Sequence, residues 1–151
     1  MSDVIIRLFQ VSDLNDVIRL WYDTWHITFP QLKHPDSIET WRQRFQDKII
    51  PHKQVWLATI ADKCVGLLVV DKTQGYLDQL FIDADYQQRG IGRLLLDKAK
   101  SISPVGLTLH TLISNHIACQ FYEKHGFIRG KEGINQINGQ KNVSYHWQAI
   151  D

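Results

Sequence analysis

Residues 85–96 read Asp85-Tyr86-Gln87-Gln88-Arg89-Gly90-Ile91-Gly92-Arg93-Leu94-Leu95-Leu96, and their reading decides the fold. Tyr76 to Ile82, just upstream, is apolar and strand-like. Ile91, Leu94, Leu95, Ala99 and Ile102 recur every three or four residues, which predicts a helix. A strand, a glycine turn and a helix N-terminus therefore follow one another. The first turn of a helix presents unpaired backbone N–H groups at a positive dipole end, so a turn without side-chain bulk can bring a phosphate against them. Gly90 and Gly92 supply the lack of bulk and Arg89 a positive charge. The dinucleotide fingerprint G-x-G-x-x-G fails because its third glycine position is Leu95, and no Gly-Lys-Ser/Thr exists for a Walker loop. Taken alone, Gly90-Ile91-Gly92 also fits plain tight packing of a strand on a helix.

Upstream, Gln54 to Ile60, Cys64 to Asp71 and Tyr76 to Ile82 read as three consecutive strands with short connections, hence antiparallel. Downstream, Pro104 and Gly106 end the helix, and Leu107 to Ile113 is a further strand, parallel to its predecessor because it is reached through a crossover helix. Ser114 or Asn115 caps a last helix that stops at Gly126. Phe127 to Ile137 and Gln140 to Ile150 flank Asn138-Gly139, a hairpin signal. At the N-terminus, Val4 to Phe9 reads as a strand. Ser12 caps a helix bearing Leu14, Val17, Ile18, Trp21 and Trp25, and Asp36 with Glu39 forms a capping box for another bearing Ile38, Trp41, Phe45 and Ile49. The expected architecture is α/β (α+β): a mixed, mostly antiparallel sheet of about seven strands with about four helices.

The chain of 151 residues suits one domain, residues 1–151, able to bury roughly two thirds of its unfolded surface without metals or disulfides. With 17 Lys and Arg against 16 Asp and Glu, no broad field exists to attract nucleic acid or a membrane, so any basic site is local. The longest apolar run, Val65 to Val70, is too short to span a bilayer. Cys64 and Cys119 sit in apolar surroundings with no N-terminal signal, which points to reduced thiols in a cytoplasmic protein. The 7 histidines are scattered and have no cysteine pair beside them, so no metal site is expected.

Gln87-x-x-Gly90-x-Gly92 resembles the acyl-CoA pyrophosphate loop of the GNAT family of N-acetyltransferases. A second segment, Asn115-His116-Ile117-Ala118-Cys119-Gln120-Phe121-Tyr122-Glu123-Lys124-His125-Gly126-Phe127, resembles that family's other signature. Leu80 to Asp85 is similar to a string found in its small, single-domain bacterial members, with Ala84 where proline is usual. The resemblance implies that acetyl-CoA binds through Gln87, Gln88, Arg89, Gly90, Ile91 and Gly92, with Asn115, Ala118 and Lys124 from the later helix. It implies that the acyl arm pairs like an added strand with Leu80, Phe81 and Ile82, the Leu80 N–H lying near the acetyl oxygen.

Acetyl transfer from a thioester to an amine needs a neutral nitrogen, a donor for the carbonyl oxygen and help for the leaving thiolate. An alkyl amine of pKa near ~10.4 must first lose a proton, whereas a thiolate of pKa near ~8.5 needs only the modest help a phenol gives. The resemblance assigns that acid to Tyr122. The family often places a Glu or His where this chain has Tyr76. Strand alternation sets Tyr76, Asp78, Leu80 and Ile82 on one face, and Asp78 is the favoured base, with Glu39 and His26 as weaker candidates. Trp21, Tyr22, Trp25 and Phe29 would wall the acceptor site, or simply fill core, and the direct route is preferred because Cys119 reads as a buried structural thiol. The expected acceptor is a primary amine, on a small molecule or a peptide. Two other readings of the scaffold are a non-catalytic acyl-CoA sensor and a protein-interaction module. The closing hairpin offers an edge through which two subunits could pair as a homodimer.

Overall fold

Alternating and apolar segments become eleven elements in the computed structural model, which describes residues 3–32, 36–136 and 139–149. These are β1 (Val4–Leu8), α1 (Leu14–Thr28), α2 (Ile38–Arg44), β2 (Gln54–Ile60), β3 (Lys63–Asp71), β4 (Tyr76–Ile82), α3 (Ile91–Ile102), β5 (Gly106–Leu112), α4 (His116–Lys124), β6 (Ile128–Ile134) and β7 (Lys141–Gln148). Among the described residues the strands form one seven-stranded sheet in the order β1-β2-β3-β4-β5-β7-β6. All neighbours are antiparallel except β4 and β5, as the crossover through α3 requires.

The central strands are covered on both faces, which is why Val65 to Val70 reads as an unbroken apolar run. One core packs Leu68, Val70 and Leu109 against Ile91, Leu95 and Ala99 of α3 and Cys119 and Tyr122 of α4. The other packs Leu57, Leu67 and Val69 against Val17, Ile18 and Trp21 of α1 and Trp41 of α2, with Phe45 and Ile49 from a π-helical turn that continues α2. Trp21 and Trp41 meet at 4.7 Å between ring centroids, so most of the N-terminal aromatic stripe is core.

Local details depart from expectation in four places. Ser12 does not cap α1; it lies in a 3-10 turn, Val11–Asp13, whose Asp13 carboxylate takes the Gln10 N–H and a bidentate pair from Arg7 at 2.8 Å. Ser37, not Asp36, caps α2, because its extended backbone lets its hydroxyl accept from the Thr40 N–H at 3.3 Å. Asp36 pairs instead with Arg44, and Glu39 with Arg42 at 3.4 Å, so there is no capping box. The strict alternation expected along β4 also fails. Its register against β3 slips between Val69 and Val70, leaving Asp78 as an extra residue, and Leu77 consequently shares a core with Leu80 and Ile82. Finally, β6 and β7 form the expected antiparallel hairpin, but β6 ends at Ile134 and β7 begins at Lys141, so their separation exceeds two residues; Asn138 lies outside the described residues.

Candidate active site

β4 and β5 touch in register only where Tyr76 faces Thr108, with one further bond from the Thr108 N–H to the Gly75 carbonyl at 2.9 Å. Beyond that point the strands part, and several of the side chains singled out in the sequence line the opening. A cavity of about 480 Å³ runs along the parting, lined by Tyr76, Asp78, Leu80 and Phe81 of β4, by Leu109, His110 and Leu112 of β5, and by Tyr122. Trp21, Trp25, Phe29, Trp41 and Arg44 close its outer side. A second, larger groove of about 1100 Å³ is lined by Leu80, Phe81, Ile82, Gln87, Gln88, Gly90, Gly92 and Arg93, and by Asn115, Ala118, Phe121, Tyr122, Lys124 and His125. The two spaces share Leu80, Phe81, Asn115, Ala118 and Tyr122 as common wall.

The groove's glycine end has the conformation its sequence calls for. Gly90 stands immediately before α3 with φ +82° and ψ 4°, a left-handed geometry that admits glycine most easily. A Cβ on Gly92 would lie 3.3 Å from the Phe121 ring, so the absence of a side chain there keeps the wall open. Gln87 is anchored by its amide to the Ile82 carbonyl at 3.2 Å, and Gln88 itself adopts φ +63°. This cradle fits a pyrophosphate on α3's N-terminus. The Arg89 guanidinium lies at the Asp85 carbonyl at 3.2 Å and over the Tyr86 ring at 4.9 Å and is exposed, while Ile91's side chain is buried in the core, so Ile91 offers its backbone alone. Arg93, which sequence reasoning missed, lines the groove with Lys124.

Across the shared wall, Asn115 caps α4 by accepting the Ala118 N–H at 3.1 Å. Tyr122 is 7% exposed, packed among Phe121, Phe127 and Tyr145. Burial, with Cys119 and Tyr76 nearby, pushes its phenol well above the usual range, so it is protonated throughout the neutral range. On β4, the Asp78 carboxylate meets the Lys53 ammonium at 3.1 Å. The Tyr76 hydroxyl meets His110 Nδ1 at 2.8 Å; burial followed by the neighbouring Asp78 raises its pKa, a rise that the His110 backbone N–H partly opposes. Tyr22 lines neither space; its ring stacks on His26 at 4.1 Å. Cys119 is buried, its thiol directed to the Leu112 carbonyl. Trp41 both lines the cavity and is buried in the core. His110 was missed as a wall residue, because nothing local in the sequence pairs it with a residue 34 positions earlier.

The family described as "Acetyltransferase (GNAT) domain" matches residues 28–148. The chain is 30% identical over 143 residues to the uncharacterized N-acetyltransferase YafP of Escherichia coli K12, covering 92% of this chain and 91% of that one. It is 34% identical over 134 residues to the peptidyl-lysine N-acetyltransferase YjaB of Salmonella typhimurium, covering 87% and 89% respectively. Its fold matches that of the PaiA N-acetyltransferase of Thermoplasma acidophilum, solved in complex with coenzyme A, with a TM-score of 0.74 at 19% identity over 97% of this chain and 99% of the other. With a glycine cradle before α3 and a second space sharing its wall, the chain belongs to the GNAT acetyltransferase family, whose cosubstrate is acetyl-CoA, and it is an N-acetyltransferase.

Proposed function

We propose that this protein moves acetyl from acetyl-CoA directly to a primary amine of a small molecule or peptide, within a ternary complex, with Tyr122 as general acid. The observation that carries this reading is the pair of spaces meeting at Tyr122. When bound, acetyl-CoA supplies a thioester carbonyl for the amine to attack and a thiolate to leave. Gln87, Gln88, Gly90 and Gly92, with the backbone of Arg89 and Ile91, would hold the pyrophosphate, and Lys124 and Arg93 add charge to the groove. Leu80, Phe81 and Ile82 offer strand backbone to the acyl arm, whose pairing partner β5 has moved away. Tyr122, kept protonated by burial, gives its proton to the departing sulfur. The acceptor's own proton leaves toward the β4 wall, where Tyr76 and Asp78 face the cavity. Trp21, Trp25 and Phe29 favour an acceptor with an apolar or aromatic body, a description that includes amines presented by a peptide.

Release of free coenzyme A thiol across a panel of arylalkylamines, lysine peptides and free peptide N-termini tests the reading. Tyr122→Phe should lower kcat by about 100-fold or more while acetyl-CoA still binds. An unchanged kcat would remove Tyr122 from the chemistry. Binding without turnover of any amine would leave an acyl-CoA sensor. Pairing of two copies through β6, all of whose residues are exposed, is part of the proposal, and sedimentation gives its stoichiometry.

A further inference from the structure

Where the strands separate, one side-chain bond still crosses from β4 to β5, and it joins two groups that can pass a proton. The Tyr76 hydroxyl lies 2.8 Å from His110 Nδ1, their rings 5.7 Å apart between centroids. Both residues line the cavity that Tyr122 also lines, and His110 is itself exposed. Asp78, the carboxylate of that wall, already has its Oδ2 3.1 Å from the Lys53 ammonium, an ion pair that occupies it. We infer that Tyr76 and His110 form the proton outlet for the acceptor amine, Tyr76 relaying the proton and His110 holding it. The inference rests on the amine-acetylation reading above and gives the acceptor's proton a destination.

The step balances without any further reactant. One N–H bond of the acceptor's ammonium breaks and its proton goes to the Tyr76 oxygen. The Tyr76 O–H proton moves at the same time to His110 Nδ1, which becomes an imidazolium. The electron pair left on nitrogen is the one that forms the new N–C bond; the second N–H proton, released as that bond forms, restores the phenol of Tyr122 after it has protonated the leaving sulfur, and the imidazolium gives its extra proton to solvent. Tyr76 stays neutral before and after, as a phenol must when burial and Asp78 both disfavour its anion. The charged and titratable groups that share the cavity with the pair are Asp78, beside Lys53, Arg44, paired with Asp36, and Tyr122; His146 on β7 bonds the Thr108 hydroxyl at 3.2 Å. Tyr76 is the residue that would touch substrate, and His110 acts through it.

The relay requires His110 to be the Nε2–H tautomer, leaving Nδ1 to accept. Imidazole ¹⁵N shifts of the protein at pH 8 should report that tautomer, and Tyr76→Phe should abolish the preference. An Nδ1–H tautomer with Tyr76 present would overturn the inference whatever the activity. The kinetic arm compares phenethylamine, which arrives protonated, with its isostere O-benzylhydroxylamine, which is already neutral at pH 7. His110→Gln and Tyr76→Phe should each lower kcat/KM for phenethylamine about 100-fold and for the neutral isostere less than about 3-fold, and the double variant should be no worse than either single one. Equal losses with both probes would mean a merely structural pair and overturn the relay. So would a probe-selective loss in Asp78→Asn, whose expected loss is the same for both amines. A wild type idle with both probes would count against the acceptor reading, and the tautomer would then decide the pair alone.

Discussion

Replacing Gly90 with alanine isolates the backbone term of the glycine cradle. A Cβ built there meets nothing within 4 Å, so packing contributes nothing and the whole effect comes from φ +82°. An L-residue in this region costs about 1–2 kcal/mol. The lower freedom of the unfolded alanine chain offsets at most about 1 kcal/mol, leaving a net loss near 1 kcal/mol if the loop keeps its shape. For a chain of this length that lowers Tm by about 2–4 °C. If the free loop instead relaxes to an unstrained shape, Tm holds, and the strain must be met when acetyl-CoA restores the cradle; a cost of about 1–2 kcal/mol then weakens Kd roughly 5- to 30-fold. The strain has to appear in folding or in binding. Differential scanning fluorimetry without ligand, together with calorimetric titration of acetyl-CoA, reads both. Gly90→Ala with neither Tm nor Kd altered would refute the cradle argument.

Gly92→Ala should behave oppositely: helix propensity gains about 1 kcal/mol, the 3.3 Å contact with Phe121 opposes it, and acetyl-CoA affinity falls while Tm stays near its starting value. Arg7→Gln removes the bidentate pair that holds the Asp13 carboxyl below its ordinary pKa. A depressed folded-state pKa stabilises above the unfolded value, so wild type should exceed the variant by about 1 kcal/mol at neutral pH, and urea titrations should show that margin vanish as pH falls below about 4. Cys119→Ala should keep turnover within a few-fold and form no acetylated protein on mass analysis, since the thiol is buried against Leu112. Trp25→Ala should raise KM for amines with apolar bodies and leave the Kd of acetyl-CoA as it is, measured by initial rates and titration.

Local signals carried most of the architecture. Apolar periodicity placed α3, the three central strands and the parallel step to β5, and the cap of α4 was narrowed to Ser114 or Asn115, of which Asn115 is the one. What escaped were features set by partners distant in sequence. The extra residue at Asp78 depends on how β4 meets β3, and alternation alone put Leu77 on the wrong side. The cap at Ser37 depends on Asp36 being drawn away by Arg44. In the site, the segments expected to hold acetyl-CoA do line one groove, because both are local motifs at helix N-termini. The Arg89 guanidinium lies over the ring of Tyr86, three residues earlier. His110 gains its meaning only from Tyr76 on another strand.

The narrow junction at Tyr76 and Thr108 has a mechanical consequence. Backbone hydrogen bonds knit β1 to β4 into one panel and β5, β7 and β6 into another, while across the junction the panels share a core of side chains, Leu77, Leu107 and Tyr122 among them. Packing without a ladder lets two plates slide by small amounts while each keeps its own shape. Amide exchange should therefore be fastest along the inner borders of β4 and β5 even though both strands are central. A molecule that lays its own chain along that border would rivet the plates together, and slower exchange would then spread to β7, a strand it never touches.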